Sequence, residues 1–411
     1  MKPLPEAQRE VLSAIPLLPE VEVPLGQALG LALAAPVTAP HDVPPFANSA
    51  MDGYAVRATD TADAPVTLEV VEDVAAGHLA RGRVEEGAAI KIMTGAPIPD
   101  GADAVVRVED TAPEGDSVRV LVPVKPGTAV RPAGGDLAAG RVVLAAGERL
   151  GPAHLGVLAS LGIARPPVHR RPRVAVVSTG DEVQSPETPV LRPGQIRDSN
   201  RPLLWGLLAE AQVELLDLGI VGDDAGLLRS TLEKGAAEAD LVVSSGGVSM
   251  GEYDLVKLLV GELGKVQFWQ VAIQPAKPLA FGLLGPTPFF GLPGNPVSVM
   301  VAFEQFVRPA LLQMMGSWRI FRPRVRGRLA AAAHTDPAKT VFLRVELVDR
   351  EGEWWATPSG HQASNVLSSL ARAEALAVIP AGTGTVEAGR PVELEMFRWP
   401  EGRTRQEVLD F

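Results

Sequence analysis

Asp240-Leu-Val-Val-Ser-Ser-Gly-Gly-Val-Ser-Met-Gly-Glu-Tyr-Asp254 is the stretch from which the rest of the chain is read. Its apolar run ends in two serines, as a buried strand does when it reaches the edge of its sheet. The chain then turns on Gly246 and Gly247, and a helix begins within 252–261. A strand, a small-residue loop and a helix N-terminus in that order expose backbone N–H groups and suit an anion, above all a phosphate. Asp254 adds a carboxylate beside that pocket, which an anion site accommodates when a cation also sits there.

Outward from this stretch, strand and helix alternate. A strand runs from Arg173 and ends in the polar loop Ser178-Thr-Gly-Asp-Glu182. Then follow a helix over 200–211, a strand over 213–220 and a helix over 225–239. Further strands are expected over 266–272 and 277–283, and Phe289-Phe-Gly-Leu-Pro-Gly-Asn-Pro296 reads as a turn into a helix over 297–315. These lengths imply a parallel, doubly wound sheet. Ligands bind beyond the carboxyl ends of such strands, and four polar clusters fall there: 178–182, Asp223-Asp224, 244–249 with Asp254, and 291–295. Carboxylates Glu182, Asp223 and Asp254 on a rim of N–H donors point to metal-assisted phosphate chemistry, with a hard ion such as Mg²⁺ as the metal. Caps on helices and loops are the competing use of the same acids.

The flanking regions have a different texture. Residues 5–15 and 24–35 have apolar residues at helical spacing. Residues 40–57 are dense in Pro, Asn and Asp and read as an ordered loop entering a strand at Tyr54. From 65 to 144, short β-runs cut by Gly and Pro read as an inserted β domain, and 152–161 as a helix. After Met315 the β texture returns as a small C-terminal barrel or sandwich. The expected division is 1–39 with 141–169 as an elongated N-terminal dimerisation domain, its first helix free to pack on the α/β domain. Residues 40–140 form the inserted domain, 170–318 the α/β domain and 319–411 the C-terminal barrel.

Composition narrows the chemistry. With 411 residues, 46% hydrophobic and 21% charged, the chain is an ordinary globular sequence. It contains no cysteine, which removes disulfides, thiolate metal sites and Cys nucleophiles together. A net charge of −11 disfavours a nucleic-acid surface. The basic runs at 169–173 and 319–328 read as solvated linkers. No apolar stretch approaches the roughly 18 residues of a membrane span, and the N-terminus lacks a signal core, so a cytoplasmic protein is expected. Neither a Gly-x4-Gly-Lys-Ser/Thr loop nor a strand-borne Gly-x-Gly-x-x-Gly is present. The six histidines show no zinc spacing. Gly247-Val-Ser-Met-Gly251 has the letters of a serine nucleophile elbow without the strand-to-Ser turn.

Six motifs occur in one order: Asn48-Ser-Ala-Met-Asp-Gly-Tyr-Ala55, Met93-Thr-Gly-Ala-Pro97, Ser178-Thr-Gly-Asp-Glu182, Ser245-Gly-Gly-Val-Ser249 with Gly251-Glu-Tyr-Asp254, Gly291-Leu-Pro-Gly-Asn-Pro-Val-Ser298 and Gly360-His-Gln362. In this the chain resembles the molybdopterin molybdenumtransferases, the MoeA family, also found as the E domain of gephyrin. The resemblance spans essentially the whole chain. It implies a homodimer with an elongated N-terminal domain, an inserted β domain, an α/β molybdopterin-binding domain and a C-terminal β-barrel. It further implies Mg²⁺-dependent insertion of molybdate into adenylylated molybdopterin with release of AMP, and contact with a molybdopterin adenylyltransferase.

Carried over position by position, the family's functional residues fall on Asp52, Thr94, Asp136, Glu182, Asp223, Asp254, Arg344 and Ser364. Glu182, Asp223 and Asp254 are then the metal candidates. Asp52, Thr94 and Asp136 belong to the inserted domain and would come from the partner subunit. Substrate or anion contacts are expected at Ser178, Thr179, Gly180, Ser245, Gly246, Gly247, Ser249, Lys277, Pro293, Gly294 and Asn295. One departure stands out. Where the family commonly has lysines this chain has Gln270 and Gln274, and only Lys277 remains. Gln offers dipoles rather than charge, so anion binding should weaken. A tungstate-using paralogue and a non-catalytic molybdopterin binder or scaffold are the alternatives that this opens. An unrelated Mg²⁺-dependent nucleotide hydrolase is the third.

Overall fold

In the computed structural model, residues 1–247 and 255–400 are described. The α/β unit is built on one six-stranded sheet in the order Glu214–Val221, Arg173–Thr179, Leu241–Ser245, Thr287–Leu292, Pro278–Leu284, Gly264–Gln270. The first four strands are parallel. Pro278–Leu284 runs antiparallel to both its neighbours, which corrects the all-parallel expectation. The reason is length. A parallel crossover needs about a dozen residues, whereas the gaps here are 271–277 and the pair Gly285-Pro286. Thr287–Leu292 is itself a strand where a turn was expected. All six of its residues are buried, so it shows no alternation to mark it.

The central strands cover both faces. Val174, Val176, Leu241 and Val243 pack on one side with Leu204, Leu208 and the helices Pro296–Ala302 and Arg308–Met314, which a π-helical turn joins. Ala175, Val177 and Val242 pack on the other with Leu228 and Leu232 of the helix Ala225–Glu238. The first helix, Leu4–Ala14, buries Leu4, Ala7 and Val11 in the first of these cores.

Residues 24–35 are not a helix. Only Leu25–Gln27 forms a 3-10 turn, and Leu33 bridges to Val168 while Ala32 bridges to Arg149. Gly30 at φ +79 and the continuous burial from Leu31 to Leu33 are incompatible with one apolar stripe. The chain departs at Val37–Thr38 and returns alongside it at Val142–Leu144. Between them lies a second six-stranded sheet, with Gly53–Val56 between Ala104–Arg107 and Ala88–Ile92. Towards the C-terminus, strands Thr340–Arg350, Glu353–Pro358, Arg324–Leu329, Pro391–Met396 and Ala375–Ile379 close into a five-stranded barrel. Val341, Leu343, Val345 and Leu347 fill it, while Phe342 faces the α/β core.

The basic runs are not solvated linkers. Arg170 forms a two-pronged pair with Asp240 at 2.6 and 2.7 Å, and Arg322 one with the buried Glu304 at 2.9 Å through two nitrogens. Among the described residues no helix is long and apolar enough to cross a membrane.

Candidate active site

The rim at the carboxyl ends of the parallel strands begins with two glycines. Gly246 has φ +93 and Gly247 φ +65, conformations that L side chains rarely adopt. Space forbids a side chain as well. A Cβ on Gly246 would meet the Thr179 carbonyl oxygen at 2.8 Å, and one on Gly247 the Val256 Cγ2 at 2.1 Å. The loop is thereby pressed against the neighbouring strand end, with Thr179 Oγ1 donating to the Ser245 carbonyl at 3.4 Å. Ser249 and Asp254 lie outside the described residues.

Asn200, which the sequence reading did not single out, ties two rim loops together. Its Nδ2 donates to Ser245 Oγ at 2.8 Å and to the Gly294 carbonyl at 2.7 Å. Asp198 holds this helix start by accepting from the N–H groups of Asn200 and Arg201, each at 3.1 Å. Three buried oxygens at the rim, Ser178 Oγ, Ser244 Oγ and Asn200 Oδ1, have no hydrogen-bond partner among the described residues.

The acids sit on adjacent loops. Gly180 at φ +130 lies under the exposed Glu182, whose Oε2 would be 2.4 Å from a Cβ there. Asp181 accepts from the Asp223 N–H at 2.9 Å, and so couples the loop of Glu182 to that of Asp223. Asp224 caps the next helix by accepting from the Leu227 N–H at 2.8 Å. Glu182 and Asp223 are thus exposed carboxylates on neighbouring rim loops, a hard-oxygen set that suits Mg²⁺ in kind. No group of three metal-ligating side chains converges among the described residues, and the third expected carboxylate, Asp254, falls outside them.

A cleft of about 300 Å³ opens where the rim meets the barrel. Lys277, Gln274, Pro293 and Asn295 line it from one side, and Lys339, Gln362 and Ser364 from the other. Asn295 Nδ2 donates to Ser364 Oγ at 3.0 Å, and the Val297 N–H to the Ser364 carbonyl at 3.2 Å. Arg344 is fully buried behind this loop. Its Nε donates to Ser369 Oγ at 2.8 Å and its Nη2 to the carbonyls of His361 and Ala363 at 3.0 and 3.3 Å. Burial pushes its guanidinium down to about 10. It positions the loop carrying Ser364 and does not line the cleft. A larger cavity of about 730 Å³ lies wholly on the barrel and shares no residue with the rim.

The inserted sheet contributes a separate pair. Asp52 accepts from both the N–H and the Oγ1 of Thr94, each at 2.7 Å. These bonds hold its carboxyl below the ordinary carboxylate range. Asp136 is exposed on a turn whose N–H donates to the Val43 carbonyl at 3.0 Å. Among the described residues, no hydrogen bond or ion pair joins Asp52, Thr94 or Asp136 to the rim.

Molybdopterin molybdenumtransferase 2 of Mycobacterium tuberculosis is 41% identical to this chain over 404 residues, covering 96% of it and 99% of that protein. The chain belongs to the molybdopterin molybdenumtransferase family. Its family relative in Nostoc sp. is 39% identical over 382 residues, or 90% of this chain and 87% of that one. Three family descriptions match in order. They are the MoeA N-terminal region (domain I and II) over 2–162, a probable molybdopterin binding domain over 175–313 and the MoeA C-terminal region (domain IV) over 326–397. The solved molybdopterin biosynthesis MoeA protein of Pyrococcus horikoshii OT3 superposes with a TM-score of 0.83 at 32% identity, over 97% of this chain and 100% of that one. The rim and cleft therefore lie in the region matched as molybdopterin binding and at its border with the C-terminal region.

Proposed function

We propose that this chain inserts molybdenum in cofactor biosynthesis, taking molybdate and adenylylated molybdopterin and releasing AMP. The observation that carries the reading is the rim itself: the close-packed glycine turn Gly246-Gly247 at the strand ends, beside a cleft containing Lys277. The molybdopterin molybdenumtransferases that are 39 and 41% identical to this chain support it.

In this reading the loop that follows Leu241–Ser245 binds a phosphate of the substrate, its start fixed by the Gly246 N–H donating to the Leu292 carbonyl at 3.1 Å and by Asn200 on Ser245. Asn200 also keeps the Gly294 turn in register with the phosphate loop. Lys277 balances charge in the cleft, and Asn295 and Ser364 orient the oxyanion there. Glu182 and Asp223, together with Asp254, would hold Mg²⁺, which when bound supplies charge neutralisation at phosphate oxygens. The adenylate phosphoanhydride is then hydrolysed. Asp52, Thr94 and Asp136 act from the partner subunit of a homodimer whose N-terminal domain comprises 1–39 and 141–169. Their exposure, and the absence of a contact joining them to the rim of their own chain among the described residues, support this. The setting is cytoplasmic, with a molybdopterin adenylyltransferase handing over the substrate.

Gln274 in the cleft favours one second reading, a binder or scaffold that holds molybdopterin without turnover. Incubating the protein with adenylylated molybdopterin, molybdate and Mg²⁺ and quantifying AMP separates the two. The enzyme reading expects stoichiometric AMP; tight pterin binding with none released leaves only the scaffold.

A further inference from the structure

Two ammonium groups line the 300 Å³ cleft from opposite units, Lys277 from the α/β side and Lys339 from the barrel. Sixty-one residues lie between them in sequence, yet backbone bonds set their spacing. Strand Ile273–Gln274 pairs in parallel with Thr340 and Val341, and the Thr340 N–H donates to the Ala272 carbonyl at 2.9 Å. On the other side, Ala276 takes a left-handed conformation at φ +75, and the Val271 N–H closes the loop on the Lys277 carbonyl at 2.8 Å. A non-glycine residue is rarely held in that conformation, so the surrounding contacts fix where Lys277 leaves the backbone.

Asp336 already occupies part of this charge. Its Oδ2 is 2.8 Å from Lys339 Nζ, and its Oδ1 accepts from the Ala338 N–H at 2.9 Å. The bond from Lys339, the Ala338 N–H and the more distant charge of Lys277 hold the Asp336 carboxyl below its ordinary range. A resident carboxylate therefore balances the charge, and takes one of the three N–H donors, that Lys339 would offer an incoming oxyanion. Gln274 in the same cleft adds dipoles and no charge.

Resting on the function proposed above, we infer that Lys339 is the second cationic contact for the oxyanion in this cleft. Asp336 is its internal competitor, giving up Lys339 when a dianion enters. The physical consequence is selectivity by charge. A tetrahedral dianion gains from both ammonium groups and outbids one carboxylate, whereas a monoanion of the same shape offers Lys339 no more than Asp336 does. The barrel turn 336–339 thereby sets which anions the cleft accepts.

Equilibrium dialysis of the full chain at fixed ionic strength tests this, with molybdate as the dianion and perrhenate as the tetrahedral monoanion. Lys339→Gln should weaken molybdate binding about tenfold or more, and Lys339→Arg should retain most of it. Asp336→Asn should tighten both anions and narrow the preference for molybdate over perrhenate severalfold. Lys277→Gln separates the two levels of the claim. If it loses molybdate while Lys339→Gln and Asp336→Asn bind as wild type, the role of the barrel turn is wrong and the cleft stands. If it too binds as wild type, or the wild-type chain binds no molybdate, the cleft assignment falls with it. Thermal unfolding of each variant shows whether a loss of binding is merely a loss of fold.

Discussion

Replacing Gly246 with alanine places a methyl group where two constraints meet. At φ +93 a non-glycine residue costs roughly 1–3 kcal/mol. The added Cβ also lies 2.8 Å from the Thr179 carbonyl oxygen and 3.0 Å from its Oγ1. Thr179 is held by its pairing with Val221, so its backbone retreats only at a cost, and overpacking of this kind costs about 1–3 kcal/mol. Together the penalty is about 2–6 kcal/mol. If the loop holds its place, it appears as lost stability, on the order of 4–24 °C in the melting transition of the α/β unit. If the loop yields instead, stability is largely kept and adenylylated molybdopterin binds at least tenfold more weakly, because the N–H groups have moved. Thermal unfolding and equilibrium binding on the same sample cover both outcomes. A Gly246→Ala protein with wild-type melting and wild-type affinity would refute the assignment of this turn as the phosphate loop. Gly156→Ala is the control: it sits exposed inside the helix Pro152–Ser160 with nothing within 4 Å of the new Cβ, and should stabilise by up to about 1 kcal/mol.

Other consequences concern the supports of the site. Arg344→Met keeps the volume but strips donors from the His361 and Ala363 carbonyls and Ser369 Oγ, so urea denaturation should show a loss of about 2–4 kcal/mol; an unchanged midpoint contradicts the positioning role. Burial works against the Asp240 carboxylate, but the bonds from Arg170 and the Arg173 N–H prevail and keep its pKa below the ordinary value. That contribution is present above the unfolded pKa of about 3.9 and fades as pH falls through the lower folded value. Asp240→Asn should therefore be less stable than wild type at pH 7, with a shallower further loss below about pH 4; parallel stability curves would count against the pairing. Thr94→Val removes one of the two donors to Asp52, and a ¹³C titration of Asp52 should move upward toward its ordinary range, a shift that is absent if the pair is incidental.

The α/β unit was largely legible because its helices and parallel strands differ in period and are punctuated by caps. The helix Asn200–Ala211 and the strand Leu241–Ser245 fall where the pattern puts them. Residues 24–35 misled because an apolar run buried on several sides reads alike in helix and extended chain. Thr287–Leu292 was hidden for the same reason. The antiparallel edge could have been foreseen, since the seven residues 271–277 cannot carry a crossover. Rim residues were visible as polar breaks at strand ends. Asn200 was not, and Asp181, though inside the 178–182 cluster, showed nothing of its tie to Asp223, because both join loops distant in sequence. Lys339 gave no signal at all; only the pairing of Ile273–Gln274 with the barrel brings it to Lys277. Arg344 was singled out by resemblance, and the fold places it behind the cleft, holding the Ser364 loop.

The central claim is conversion of the bound pterin, and a single-turnover experiment tests it most directly. Protein in excess over adenylylated molybdopterin, with molybdate and Mg²⁺, should release AMP and retain molybdenum on the pterin in a one-to-one ratio. AMP without retained molybdenum would make the chain a nucleotide hydrolase, and bound pterin without AMP would make it a scaffold; either result contradicts the account.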